Sequence, residues 1–111
     1  KYRSGIPADS RAGNPAFASF VQPYLTDAAR RIADATATAA EGLGVSPSEV
    51  ALAWLRDRPG VTAALVGART VAQLRTALAS EELEIPVQIE QALTDVSAPP
   101  MSYPEYGWNQ R

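Results

Sequence analysis

The sequence VTAALVGARTVAQL, residues 61–74, indicates a buried strand, a tight turn and the start of a helix in direct succession. Its first six residues are apolar or β-branched and are bounded by Pro59-Gly60 and Gly67, which is typical of a strand buried on both faces. We therefore predict one short strand near residues 62–66 in a chain that is otherwise mostly α-helical. One strand makes no sheet, so its hydrogen-bonding neighbours are expected outside this chain.

The turn after this strand carries residue types that suit a phosphate group. Gly67 allows a ligand close to the backbone, Arg69 offers a forked cation, and the next helix points its free N–H groups to the same place. Thr70 and Gln73 have the spacing of a capping box. The same residues also fit a plain turn, a solvated arginine and a cap, and spacing alone favours this simpler interpretation.

Capping signals predict two helices upstream. Thr26 suits the N-cap of an alanine-rich helix that stops at a left-handed C-cap near Gly44. Ser46 and Glu49 form a capping box around Pro47, which opens a helix that is apolar nearly all round. Such a helix needs cover on more than one side.

The first quarter and the last tenth of the sequence contain fewer signals. Residues 1–25 are predicted to be a surface loop followed by a short apolar turn that docks on the core. The docking residues are expected to be Phe17, Phe20, Val21 and Tyr24. Residues 98–111 are predicted to be a loop-like tail.

The segments on either side of the predicted strand indicate where the neighbouring helices end, begin and pack. Arg56, Asp57 and Arg58 are expected to mark the exposed end of the apolar helix. A last helix is predicted from Pro86 to about residue 97. The helix after residue 70 is expected to pack through Val71, Leu74, Ala77 and Leu78.

Composition excludes several classes of function. The formal net charge is −2, the pI is near 5.0 and no basic run occurs, which argues against a nucleic-acid partner. A helix-turn-helix interpretation fails for a related reason, since the second helix lacks polar residues for reading bases. The sequence has no cysteine and no histidine, which argues against zinc or imidazole chemistry and fits a cytoplasmic location. No apolar run approaches the roughly 18 residues of a membrane span.

Two motifs are more distinctive than the rest: ALAW at residues 51–54 and GARTVAQL at residues 67–74. Together with their surroundings, residues 44–78, they resemble the C-terminal third of an aldo-keto reductase, where an ALAW-like helix leads into the last barrel strand. The two ends of the sequence also resemble the family, through Lys1-Tyr2-Arg3 and Tyr103-Pro104-Glu105-Tyr106-Gly107-Trp108. The resemblance implies the C-terminal segment of a (β/α)8 TIM barrel. At 111 residues the chain is too short for a complete barrel of roughly 250 residues.

The resemblance implies a specific role for the turn after the strand. In the family this segment grips the adenosine 2′-phosphate of NADPH. Carried over, Gly67 and Ala68 would present backbone N–H groups to that phosphate, and Arg69 would pair with it or stack on the adenine. Thr70 would start the helix beneath, and Gln73 would hydrogen-bond the adenosine half.

Other positions match the family less closely. Family members usually place Glu-Asn where this chain has Thr76-Ala77, and Ala77 has no side-chain group to hold the adenine amine. In the family the loop near the start of this segment lies over the cofactor pyrophosphate, so Ser4, Asp9 or Arg11 is able to touch it by analogy. A solvated connection is the alternative for each of these three residues.

Two functions of different classes follow. In the first, the chain is part of an NADP-dependent reductase of small carbonyl substrates, inactive by itself because the family's catalytic residues come from earlier strands. It would then bind NADPH only with the missing N-terminal part of the barrel or by self-association. In the second, the chain is a stand-alone helical protein-interaction module without cofactor binding. Neither alternative implies a metal, nucleic-acid or membrane partner.

Overall fold

The computed structural model describes residues 4–100, which fold into five α-helices and two short 3-10 turns. The 3-10 turns comprise Gln22–Tyr24 and Ser80–Glu82. The helices are α1, Pro15–Val21; α2, Asp27–Leu43; α3, Pro47–Arg56; α4, Val71–Ala79; and α5, Val87–Ser97. The predicted mostly helical character is confirmed for this part of the protein. Within it, no helix combines the length and apolarity that a membrane crossing requires.

Helix α2 begins and ends where its capping residues predict. The Thr26 side-chain oxygen accepts a hydrogen bond from the Ala29 N–H at 3.1 Å, which satisfies one of the free donors of the first turn. At the other end Gly44 has a φ of +70°, and Val45 N–H donates to the Ala40 carbonyl at 3.0 Å. These bonds close the helix in a Schellman-type turn.

Helix α3 begins with a complete capping box. The Ser46 Oγ accepts from the Glu49 N–H at 3.2 Å, and Glu49 Oε2 accepts from the Ser46 N–H at 2.8 Å. Pro47 occupies the first helical position, where its missing N–H costs nothing. The prediction of this helix start is confirmed.

The core lies where α2, α3 and α5 meet. Ala40, Val50 and Leu93 are buried, one from each helix. Partly buried apolar residues surround them, namely Ala35, Ala39, Leu43, Val45, Trp54, Leu83, Ile85 and Ile89. Helix α2 contributes mainly alanine to this core, and small side chains allow a neighbouring helix to pack closely. The Trp54 indole N–H, at the edge of the core, donates to Thr94 Oγ1 at 3.2 Å.

The strand predicted near residues 62–66 is wrong for the part of the protein that the structure describes. Residues 61–68 have no regular secondary structure, Leu65 is fully exposed and Val66 is half exposed. A strand is stabilised by hydrogen bonds to a neighbouring strand, and residues 4–100 contain none. An apolar sequence alone is therefore insufficient to form a strand here.

Two predicted packing faces are also wrong among the described residues. Phe17, Phe20 and Tyr24 are helical or in a 3-10 turn as their spacing suggests, but they remain 51%, 68% and 67% exposed instead of docking on the core. In α4, three residues that were expected to pack are exposed: Val71, Leu74 and Leu78. Residues 4–100 offer no second apolar layer that covers either face.

Arg56, the last residue of α3, and Arg58, two residues beyond it, are bonded to other elements, so the prediction of an exposed helix end is wrong for these two arginines. Arg58 Nη1 donates to Thr94 Oγ1 at 2.9 Å, its Nη2 pairs with Glu90, and its guanidinium lies 4.7 Å from the centre of the Trp54 ring. Arg58 thus joins α3 to α5. Arg56 joins α3 to the 3-10 turn after α4.

Candidate functional site

Three of the five predicted phosphate-binding residues line one cleft. Gly67, Arg69 and Gln73 face a cavity of about 930 Å³ between the start of α3, residues 65–69 and α4. Ala68 and Thr70 lie between these residues in the sequence but do not line the cavity. The junction is open, because all five residues are exposed.

The start of α4 is capped, with one difference from the predicted capping box. Thr70 Oγ1 accepts from the Gln73 N–H at 3.2 Å, as expected. Gln73 Oε1 accepts from the N–H of Arg69 at 2.8 Å, whereas a standard box would use the N–H of Thr70. The bond to Arg69 fixes the backbone that enters the helix. The N–H groups of Val71 and Ala72 donate no hydrogen bond within residues 4–100.

The electrostatic character of the cleft is positive. Arg11 and Arg69 line it, and no acidic residue among the described ones does. The Arg69 side chain is exposed and forms no hydrogen bond or ion pair with any of residues 4–100. The first turn of α4 also lacks an acidic residue, so the positive end of the helix dipole is not compensated by its own helix. These features together favour an anion.

Gly67 is not required by the backbone conformation. It lies in a segment without regular secondary structure or a turn, and its φ is not positive, so the interpretation of Gly67 as a turn residue is wrong. A Cβ added at Gly67 would meet no atom within 4 Å. The space beside this glycine is therefore open to a ligand.

The loop before α1 brings only one of its three candidate residues to the cleft. Arg11 lines the cavity, whereas Ser4 and Asp9 do not. The neighbouring Ser10 is 4% exposed, and its Oγ donates to the Pro7 carbonyl at 2.6 Å and accepts from the Gly13 N–H at 3.2 Å. Ser10 therefore closes the loop that carries Arg11.

The positions expected near adenine also lie at the cleft. Thr76 and Ala77 line it, and the Thr76 hydroxyl donates to the Ala72 carbonyl at 3.1 Å. Sequence reasoning missed Ser46 and Ser48, which line the opposite wall from α3. No sequence signal links them to residues 67–73, because only the contact between α3 and α4 brings them together. Within residues 4–100, no cluster of three metal-ligating side chains occurs.

Comparison with known proteins identifies the family. A model of the aldo/keto reductase family matches residues 1–97. The protein is 38% identical over 94 residues to the uncharacterised oxidoreductase Rv2298 of Mycobacterium tuberculosis, an alignment that covers 82% of this sequence and 27% of the relative. It is 33% identical over 99 residues to the protein tas of Escherichia coli, covering 88% and 27% respectively.

A third relative is the uncharacterised oxidoreductase YrpG of Bacillus subtilis, 38% identical over 68 residues, with 60% of this sequence and 21% of the relative covered. The protein thus spans about a quarter of the length of the relatives that it matches. The family model covers nearly all of it, and two relatives named as oxidoreductases agree with that match. This chain belongs to the aldo/keto reductase family.

Proposed function

We propose that this chain is the C-terminal part of an NADP-dependent reductase of small carbonyl substrates, and that residues 67–73 hold the 2′-phosphate of the cofactor. The observation that carries the proposal is the Arg69 guanidinium, unpaired within residues 4–100, at an open cleft beside the uncompensated positive end of α4. We use the term complete reductase for the protein that unites this segment with the remaining strands of the barrel.

The residues present fit such a phosphate. Arg69 provides planar donors that match a phosphate in bidentate geometry, and charge-assisted hydrogen bonds are about twice as strong as neutral ones. The open space at Gly67 lets a phosphate oxygen approach the backbone, and the free N–H groups of Val71 and Ala72 add donors at the helix start. Arg11 adds a second positive charge to the same cleft.

The bound cofactor would supply the hydride, and this chain would supply binding and orientation. The Gln73 side chain accepts a hydrogen bond from the N–H of Arg69, which fixes the backbone of Arg69 before the cofactor binds. The catalytic side chains are proposed to come from the earlier strands of the complete reductase. Preformed donors on a capped helix lower the ordering cost of binding.

The exposed apolar segment fits the same proposal. Leu65 and Val66, next to Gly67, are exposed and unpaired within residues 4–100, as a barrel strand would be without its neighbours. We propose that the remaining strands of the complete reductase cover this segment. The alternative, an interaction module, uses the same apolar surface for another protein partner.

The cofactor site is tested by Arg69→Ala in the complete reductase. Loss of a charge-assisted contact costs about 1.5–3 kcal/mol, so we expect the Kd for NADPH to rise roughly 10- to 100-fold. The Kd for NADH, which lacks the 2′-phosphate, is expected to change less than threefold. Arg75→Ala is the matched control, because Arg75 is an exposed arginine of α4 outside the cleft. Equal losses for the two cofactors would refute the role of Arg69.

The alternative function is tested with the 111-residue protein alone. Its mass in solution is measured, and NADPH and NADH are each titrated against it and against the complete reductase. The reductase proposal predicts NADPH binding by the complete reductase. A monomeric, helix-rich 111-residue protein, together with a complete protein that binds neither cofactor, would instead support the interaction module.

A further inference from the structure

Arg56, the last residue of α3, donates hydrogen bonds to the backbone that follows α4. Its Nη1 donates to the carbonyl oxygens of Ser80 at 2.7 Å and Glu81 at 2.9 Å, and its Nη2 donates to that of Leu83 at 2.9 Å. The Ser80 carbonyl also accepts from the Leu83 N–H at 3.3 Å, which closes the 3-10 turn, and the carbonyls of Glu81 and Leu83 follow at its end. The guanidinium of Arg56 therefore caps the C-terminal end of this segment from another helix.

Asp57 fixes the orientation of this guanidinium. Arg56 Nε donates to Asp57 Oδ1 and Nη2 donates to Oδ2, both at 2.8 Å, which is a bidentate pair. The hydrogen bond from Arg56 lowers the pKa of Asp57 and raises that of Arg56. The Arg56 side chain is 28% exposed, so the pair is partly shielded from water. With its plane held by Asp57, the arginine has its remaining donors directed at the three carbonyls.

Helix α4 has few other attachments at this end. It contains no buried residue, and its apolar side chains Val71, Leu74 and Leu78 are exposed. Ser80, which continues directly from α4, is 3% exposed and lies in the segment that Arg56 grips. The 3-10 turn Ser80–Glu82 continues directly from α4, so the hydrogen bonds that fix the orientation of this turn also fix the orientation of α4.

Because α4 is short and rigid, a change in the Arg56 contact at one end of the helix displaces the residues of the proposed cofactor site at the other end. The nine residues of α4 span about 13.5 Å, so a tilt of about 10° at the Arg56 end moves Thr70 by about 2 Å. A displacement of that size is enough to misalign hydrogen bonds to a phosphate. We propose that Arg56 is a positioning residue for the cofactor phosphate, acting through the orientation of α4. This inference rests on the proposed function.

The test compares Arg56→Gln with Arg58→Gln in the complete reductase. Arg58 is a matched control, because it is also a partly buried arginine, two residues beyond α3, but bonds to α5 instead of the α4 end. We expect Arg56→Gln to raise KM for NADPH roughly fivefold to tenfold and to leave kcat at saturating NADPH within twofold. Arg58→Gln is expected to lower the melting temperature similarly without raising this KM.

A coupling measurement separates positioning from general destabilisation. If Arg56 acts through the placement of Arg69, the effect of Arg56→Gln on NADPH is expected to be at least halved when Arg69 is already alanine. If Arg56→Gln does not fold, Arg56→Lys replaces it, since lysine keeps the charge and one or two of the donors. The lysine variant is expected to give an intermediate KM.

The outcomes distinguish this inference from the function on which it rests. Selective loss of NADPH in Arg69→Ala, together with equal KM values in the Arg56 and Arg58 variants, overturns the positioning role and leaves the cofactor site intact. Fully additive effects of the Arg56 and Arg69 substitutions overturn it as well. Equal loss of NADPH and NADH in Arg69→Ala overturns the proposed function, and the role of Arg56 falls with it.

Discussion

Helices α3 and α4 start with the same kind of sequence pattern but with different hydrogen bonds. In α3, Ser46 and Glu49 exchange both bonds of a capping box. In α4, Thr70 receives the N–H of Gln73, but the Gln73 side chain turns to the N–H of Arg69. Both starts border the cleft, but the first is partly buried and the second is exposed.

The difference extends to charge. The first turn of α3 contains Glu49, whose carboxylate compensates the positive end of its own helix dipole, whereas the first turn of α4 contains no acidic residue. One helix start is therefore satisfied by its own residues, and the other leaves its positive end to an external anion. Two similar caps thus have different uses, a structural one in α3 and a proposed binding one in α4.

Among the substitutions that compare the two helix starts, the largest expected effect comes from Gly67→Ala, which fills the space beside α4. The added Cβ meets no atom of the protein within 4 Å, so the melting temperature is expected to stay within about 1 °C. In the complete reductase it would crowd the phosphate, and an overpacking cost of about 1–2 kcal/mol corresponds to a Kd for NADPH raised roughly tenfold. Fluorescence titration measures the Kd.

Gly13→Ala is the contrasting control for this substitution. A Cβ at Gly13 would lie 2.5 Å from the Pro7 carbonyl oxygen, so the loop that carries Arg11 must shift. We expect this variant to lower thermal stability, unlike Gly67→Ala. An unchanged Kd for NADPH in Gly67→Ala would remove the proposed difference between the two helix starts.

The two caps are next compared by Ser46→Ala and Thr70→Ala in the complete reductase. Loss of an N-cap costs about 1 kcal/mol, which is roughly a fivefold change in an opening equilibrium. For Ser46→Ala we expect faster hydrogen exchange across α3 and its neighbours, because Val50, four residues on, is fully buried. For Thr70→Ala we expect the change to stay within α4. Equal spreading from both sites would contradict the structural role assigned to α3 alone.

The caps were predictable because each one depends on residues only three positions apart. Thr26, Ser46 and Thr70 each accept from the N–H three residues later, and a local sequence pattern contains that information completely. The same holds for part of the candidate site. Gly67, Arg69 and Gln73 are close in sequence, so their convergence on one cleft follows from a single helix start.

The rest of the fold and of the candidate site depends on contacts between residues that are far apart in the sequence. Arg56 bonds to carbonyls 24 to 27 residues away, and nothing in the local pattern of residues 56–58 distinguishes it from a solvated charge. Arg11 and Ser46 reach the cleft in the same way, through packing alone. The strand near residues 62–66 failed for a related reason, because its formation depends on hydrogen bonds to a partner that residues 4–100 lack.

A smaller effect is expected from strengthening the α4 side of the cleft with Ala77→Asn. This restores the amide that other family members usually have at the position, and Ala77 lines the cleft. One net neutral hydrogen bond contributes about 0.5–1 kcal/mol, so the Kd for NADPH and NADH should both fall roughly two- to fivefold. Ala79→Asn is the matched control, because Ala79 is an exposed residue of α4 outside the cleft. A tightening restricted to NADPH would place residue 77 near the phosphate instead of the adenine.

The smallest expected effect is a difference in acid sensitivity between the caps of α3 and α4. Hydrogen bonding to the Ser46 side chain, followed by the bond from the Ser46 backbone N–H, lowers the pKa of Glu49, whereas Gln73 carries no titratable group at α4. A lowered pKa in the folded state means that the stabilisation is complete above the unfolded pKa of about 4.3 and is lost as pH falls through the folded value. Lowering the pH is therefore expected to destabilise the start of α3 and to leave the stability of the start of α4 unchanged.

Hydrogen-exchange protection of the two first turns between pH 5 and pH 3 measures this difference. We expect protection at the start of α3 to fall with pH in the natural sequence and to become nearly flat in Glu49→Gln, which keeps a side-chain acceptor for the Ser46 N–H. Protection at the start of α4 is expected to be flat in both proteins. A parallel fall at both helix starts would mean that acid acts on the whole fold, and the carboxylate would then have no separate role at α3.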